Sequence, residues 1–390
     1  MLAAQSPRRT SYICARYLRL SRLRLYSTQN TKLPPPPPAS GAAKLTNRRL
    51  ISLHGQDAPK FLQGIVTANV TPGTRSGLFT AFLNAQGRVL SDTFIYPTSG
   101  SKWHQEINKD DEQGYIVEVD ITQAEALTKH LKRHKLRSKF KLRLLEEGEL
   151  DVWSVWKEDE RWTAHTAEDN AGGIITMTDR RAPGMGQRAL LSPSNFSSDL
   201  KGVLDQAQEA LFDAYTIRRY LKGVPEGQVE IPRDDSLPMN CDIDIMGGID
   251  FRKGCYVGQE LTIRTYHTGV VRRRILPVVL YEHGKQPPER LEYDPEASVA
   301  LPAYDMDIRR DDKRQRGTGK FIAGIGNVGL AMCRVEQMSD LVVSGEGSSF
   351  SHADTFFVEA ENGQKYGIKA FVPDWIRGHI REPKIQKRVG

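Results

Sequence analysis

At Arg274 the chain changes texture, and that change constrains the fold more than any single motif. Before it, stretches of strand character alternate with helical ones; after it only short β runs remain, at 275–281, 319–323, 328–335, 355–359 and 366–371. Interleaved strands and helices build α+β layers, whereas short strands parted by Gly-rich and polar turns close into a small barrel. The expected fold is α+β over residues 45–272, followed by a separate C-terminal β-barrel domain over 273–390. Polar stretches at 304–316 and 343–352 read as exposed loops of that barrel.

Within the α+β part, Asp57 suits the N-cap of a short helix through Gln63, with Gly64 as its stop. Residues 79–84 and 88–96 alternate around Ala85-Gln86-Gly87, a hairpin with glycine at the turn. A helix over 122–134 lies between strands at 115–119 and 139–144. Strands at 152–156 and 173–177 precede a long helix over 198–222, ended by Gly223 and Pro225.

The first fifty residues hold no Asp or Glu, while Arg8, Arg9, Arg16, Arg19, Arg22 and Arg24 crowd the opening. On a helix, Ile13, Tyr17 and Leu20 fall beside the row Arg16, Arg19 and Arg22. This is the amphipathic pattern of a mitochondrial transit peptide over residues 1–26, with maturation expected near Ser27. Prolines 34–38 read as a polyproline II spacer within a linker over 27–44, so the folded body is expected from about Leu45. The formal net charge is +7; six of those charges are the leader arginines, which leaves the body near +1. That balance gives no footprint for nucleic acid. No apolar stretch reaches the roughly 18 residues that span a bilayer, so no membrane partner is expected. About 345 residues remain after the linker, enough for two or three domains. The body cysteines, Cys241, Cys255 and Cys333, form no CxxC pair, which suits a reducing compartment.

Several patterns mislead. Gly324 to Gly329 fits GxGxxG but is followed by strand character, so no helix N-terminus awaits a pyrophosphate. Gly317-Thr318-Gly319-Lys320 is followed by Phe321, where a phosphate loop needs Ser or Thr. His130 and His134 have metal-ligand spacing on a helix, yet they sit among lysines and arginines that repel a cation. Trp153, Trp156 and Trp162 read as core.

The run Lys253-Gly254-Cys255-Tyr256-Val257-Gly258-Gln259-Glu260 sets one thiol between a cation and two glycines. Thiolate is the form that attacks or ligates, and Arg252, Lys253 and Arg264 favour it if the fold brings them near. The flanking glycines let the backbone turn sharply or a partner approach closely. Spacing alone leaves two readings open, an exposed reactive or ligating cysteine on a tight turn and a buried free cysteine.

This octet resembles the signature of the YgfZ and glycine-cleavage T-protein-like folate-binding superfamily. Gly55 to Ala58 with Phe61 to Gly64 is similar to its first helix, and Phe82 to Asp92 to its first hairpin. Arg218 to Ile231, Leu237 to Asn240 and Gly269 to Arg273 follow the same pattern. The likeness covers nearly everything after residue 45 and, with the leader, is closest to the superfamily's mitochondrial iron-sulfur assembly branch. It implies late maturation of [4Fe-4S] proteins in the mitochondrial matrix. A-type iron-sulfur scaffold proteins are the implied partners, and aconitase-, lipoyl synthase- and biotin synthase-like enzymes the recipients. A [2Fe-2S] or [4Fe-4S] cluster would be held only transiently with a partner, because Cys255 alone cannot fill a four-ligand site. Lys253, Gln259 and Glu260 stand beside that thiol. Tetrahydrofolate is the implied small molecule of a central cleft, with Asn84, Asp92, Glu230 and Arg264 as candidate contacts. The rival implication is a folate-dependent aminomethyl or one-carbon transferase. Two departures weaken it: the hairpin reads Ser91-Asp92 where T-proteins pair acids, and Cys255-Tyr256 stands where they have Asp-Phe. A thiol in place of a carboxylate turns the chemistry toward soft metals.

Overall fold

A computed structural model describes residues 32–71, 76–107, 113–158, 173–193, 207–344 and 347–380. The expected leader helix, its maturation point at Ser27, Trp162 and the start of the expected 198–222 helix lie outside these residues.

Two five-stranded sheets form the α+β region. The first comprises β1 (Ser40–Lys44), β7 (Asp151–Lys157), β8 (Ile175–Thr178), β9 (Gln187–Leu191) and β10 (Gln208–Glu209), in the order β10-β1-β7-β9-β8. The second comprises β2 (Arg48–His54), β3 (Leu78–Leu83), β4 (Val89–Pro97), β5 (Gly114–Asp120) and β6 (Lys141–Leu144), in the order β3-β4-β5-β2-β6. Helices α1 (Ala58–Ile65), α2 (Lys102–Ile107), α3 (Ala124–Lys135), α4 (Phe212–Lys222) and α5 (Gln259–Thr268) interleave with and follow them. Strands β11 (Arg273–Glu282), β12 (Asp307–Arg310), β13 (Gly317–Ile325), β14 (Val328–Arg334), β15 (Phe356–Glu359) and β16 (Lys365–Ala370) close a barrel, flanked by the short helices α6 (Val335–Met338) and α7 (Asp374–Arg377).

Side-chain alternation along the second sheet separates two cores. On one face Phe94 and Tyr96 meet Trp156 and Leu190 of the first sheet, Tyr215 of α4, and Val279 and Leu330 of the barrel. On the other, Ile51, Ile95 and Val117 are covered by Phe61 and Leu62 of α1 and Leu127 and Leu131 of α3. Each such fully buried side chain contributes about 1.5–3 kcal/mol, which fixes α1 and α3 as one outer layer. Leu276, Phe321, Val358 and Ile368 fill the barrel.

The hairpin, the α3 helix and five of the barrel strands lie where the sequence places them. Four expectations are corrected. Helix α1 runs through Gly64 to Ile65. Asp57 is its N-cap residue as expected, with the carboxylate accepting from the Lys139 amide at 2.6 Å instead of from the helix. Helix α4 starts only at Phe212, because Gln208 and Glu209 pair in parallel with Gly41 and Ala42. The supposed loop at 304–316 contains β12, which bonds to β13 and β15 and closes the barrel; with only Ile308 turned inward, its strand character is nearly invisible in sequence. The proline spacer is not detached. Polyproline carbonyls carry no internal hydrogen bonds and remain free to accept. Pro38 takes the Trp156 indole at 2.9 Å and Pro34 the Tyr293 hydroxyl at 2.7 Å. The strand that follows packs under Trp156, where a Cβ on Gly41 would lie 2.5 Å from the ring. The GxGxxG run is the β13–β14 hairpin, turning on Gly326 at φ +57°.

Candidate functional site

Helix α1 ends with carbonyls that no intrahelical amide can reach, and residues 253–257 supply their donors. The Lys253 ammonium donates to the carbonyls of Gln63, Val66 and Ala68 at 2.7, 2.7 and 2.8 Å, which uses all three of its hydrogens. The Val257 amide donates to Gly64 at 3.2 Å. Between these anchors Tyr256 is turned inward and buried, under the Lys253 ammonium at 5.1 Å. Gly254 and Cys255 are left exposed. A Cβ on Gly254 would meet nothing within 4 Å, so the space beside that residue is open.

The next turn locks this loop against the hairpin. Gly258 adopts φ +80° at the start of α5, and a Cβ there would fall 2.2 Å from the Asn84 carbonyl. Only glycine meets both conditions. The Gln259 side chain accepts from the Tyr256 amide at 3.2 Å, and Glu260 stands exposed in the first turn of α5. Burial pushes the Tyr256 phenol up to about 12, helped by Glu260. Burial also pushes the Lys253 ammonium down to about 8, since neutral carbonyls replace water and only Asp250 opposes. Arg264 is exposed on α5. The other two cysteines are buried, and burial raises both thiols, that of Cys241 to about 12. Among the described residues no three His, Cys, Asp or Glu side chains converge as a metal site.

The folate candidates separate. Asn84 is a turn residue: its side-chain Oδ1 accepts from the Gln86 and Arg88 amides, and its Nδ2 donates to Asp234 at 2.8 Å. Glu230 is buried and saturated, accepting from Arg219 at 2.7 and 2.9 Å, from Tyr220 at 3.0 Å and from the Glu226 amide at 2.7 Å. Asp92 lies buried between the sheets, bound to the Gly227 amide at 3.1 Å and to Arg48 at 3.4 Å.

Asp92 opens onto an ion network that sequence reasoning missed. Arg48 and Arg188 converge on Glu118, Arg181 and Arg188 on Asp179 and Glu226, and the Tyr96 and Tyr215 hydroxyls join them. Burial alone would raise Glu118; Arg188 and Arg48 override it and hold the carboxyl below its usual range. At Asp92 burial wins over Arg48 and the carboxyl is raised. Among the described residues, buried atoms left without a partner include Gln228 Nε2 and Oε1, Arg48 Nη2 and Glu226 Oε1. The Gly227 amide reaches Asp92, and the next amide, that of Gln228, donates to Asp120 at 3.0 Å. A donor–acceptor amide and a guanidinium nitrogen without partners are the kinds of group that the edge of a polar heterocycle would satisfy. Gln228 and Arg48 keep unpartnered buried atoms that a pterin edge would satisfy; Glu230 has no acceptor capacity left for one. The available signal was the presence of Glu118 and Arg188 inside otherwise apolar strands.

Comparison with known proteins agrees with this architecture. The C-terminal β-barrel domain of CAF17 matches residues 272–378. The glycine cleavage system aminomethyltransferase T of Bartonella henselae superposes with a TM-score of 0.58 at 13% identity, covering 88% of each chain, a likeness of fold alone. The iron-sulfur cluster assembly factor IBA57 homologue, mitochondrial, of Aspergillus fumigatus is 45% identical, across 94% of this chain and 90% of its own. That of Pyricularia oryzae is 48% identical, across 87% and 85%. With two sheets, a barrel and an outward-facing thiol loop, and with identity sustained over nearly its whole length, the chain belongs to the IBA57 family of iron-sulfur cluster assembly factors.

Proposed function

We propose that this protein is a mitochondrial iron-sulfur cluster assembly factor whose working residue is Cys255. The observation that carries the reading is the presentation of that thiol: the loop is anchored on one side by Lys253 and on the other by Val257, and Cys255 between them is exposed. A lone soft ligand suits a cluster that arrives as cargo on another protein, which supplies the remaining ligands. A-type scaffold proteins are the proposed donors. Matrix enzymes of the aconitase, lipoyl synthase and biotin synthase kinds are the proposed recipients. The relatives named as mitochondrial assembly factors support the location, and the acid-free leader supports the matrix.

Tetrahydrofolate is proposed as a ligand of the inner polar site, on Gln228 and Arg48. When bound it supplies a one-carbon acceptor. The rival reading, a folate-dependent aminomethyl transferase, draws on the same orphaned amide. It requires paired acids on the hairpin, where this chain has Ser91 beside Asp92.

The test is complementation. In cells lacking the native protein, the Cys255→Ser chain should accumulate normally and fail to restore aconitase activity. Full restoration would remove Cys255 from the mechanism, and turnover of folate with an amine donor by the purified chain would favour the transferase.

A further inference from the structure

A body of nearly neutral charge carries one intensely basic surface. From Lys129 to Lys141 the chain holds seven Lys or Arg and no acid. On α3 and the turn beyond it, Lys129, Lys132, Arg133, Arg137 and Lys139 are all exposed, and no ion pair among the described residues engages them. Cations in the last helical turn complement the macrodipole, which accounts for Lys132 and Arg133. It does not account for Arg137 and Lys139 beyond the helix end. Nor does it account for Leu136, which stands 87% exposed among them at φ +47°, a conformation unfavourable for a leucine.

The position of this surface gives it meaning. Helices α1 and α3 cover the same face of the second sheet, and Val257 packs against the core they share. The basic turn meets the start of α1, where the Asp57 amide donates to the Lys139 carbonyl and the rings of Phe61 and Phe140 lie 4.8 Å apart. The Cys255 loop meets its end. An eight-residue helix spans about 12 Å. A standard interface of ~800 Å² per partner is ~32 Å across if circular, so one partner reaches both.

We infer that the exposed face of α3, with Leu136 at its centre, is the docking surface for an acidic protein that brings its cluster to Cys255. This rests on the assembly reading above and adds the chemistry of the partner: carboxylates opposite the α3 cations and a pocket for the Leu136 side chain. Continuity with the thiol favours a protein over a lipid surface or a nucleic acid, since neither of those delivers a cluster.

Stopped-flow association of the full-length chain with a [2Fe-2S]-loaded A-type scaffold tests the inference. Lys132→Glu combined with Arg133→Glu and Arg137→Glu should slow association at low salt about tenfold or more, with the gap closing near 1 M salt, where the screening length is about 3 Å. The corresponding glutamine substitutions, which pose less risk to folding, should give an intermediate slowing. Leu136→Ser should speed dissociation, while the alkylation rate of Cys255 stays unchanged in every variant. Equal association rates for native and charge-reversed chains would overturn the docking surface and leave the assembly role standing. So would a loss confined to binding of vesicles made from equal parts phosphatidylcholine and cardiolipin. If the native chain itself fails to engage the scaffold, the assembly reading falls and this inference with it.

Discussion

An ammonium that gives all its hydrogens to carbonyls at and just beyond a helix end is a positional device, and Lys253 holds the Cys255 loop by that means. Replacement by Met would leave three carbonyls without a donor. We expect Lys253→Met to raise amide exchange across residues 254–257 with little change elsewhere, and Lys253→Arg to restore part of the protection; uniform protection in both variants would contradict the latch. Cys255 should react with an alkylating reagent faster than buried Cys241 or Cys333, and Cys255→Ser should shift stability by less than about 0.5 kcal/mol. Gly258→Ala should cost roughly 1–3 kcal/mol in denaturant unfolding, because both its φ and the Asn84 carbonyl oppose a side chain. The flanking glycines left the exposure of Cys255 open, and the resemblance favoured it. The role of Lys253 was not legible, since its acceptors lie 185 to 190 positions away.

At the scale of elements, the sequence is clear where apolar periodicity is strong and silent where pairing partners decide. The β3–β4 hairpin and α3 announce themselves by alternation, a glycine turn and helical spacing. Strand β12 offers one inward residue, Ile308, and only its neighbours in the barrel make it a strand. The joint between the α+β region and the barrel is a case of buried charge. Arg274 at the start of β11 binds Asp242 at 2.9 Å and Asp244 through both nitrogens at 2.9 Å. Burial nevertheless raises Asp242 from 3.8 to about 8. Between those values the folded chain keeps a proton that the unfolded chain has released, so this group's contribution to stability falls as pH rises from 3.8 toward 8. Denaturant unfolding across that range should show a downward slope that Asp242→Asn reduces; identical slopes for the two chains would place the proton elsewhere.

For the whole molecule, the two sheets are joined through charge as well as through apolar packing. Arg188 of one sheet reaches Glu118 of the other, and neither is exposed. Buried pairs of this kind add little net stability when complete and are costly when broken, so Glu118→Ala should cost about 3–5 kcal/mol in unfolding free energy. The fold class and barrel were readable from texture alone, whereas this interior was not, because only folding brings strands seventy residues apart into contact. The amino-terminal limit of the body was also misplaced by sequence, since proline carbonyls and β1 gain their partners from distant Trp156 and Tyr293. The most direct measurement is visible circular dichroism of a [2Fe-2S]-loaded A-type scaffold titrated with this protein. The native chain should change the cluster spectrum with a one-to-one endpoint, and the Cys255→Ala chain should leave it unchanged; identical spectra with both chains would contradict the assignment of Cys255 as the shared ligand.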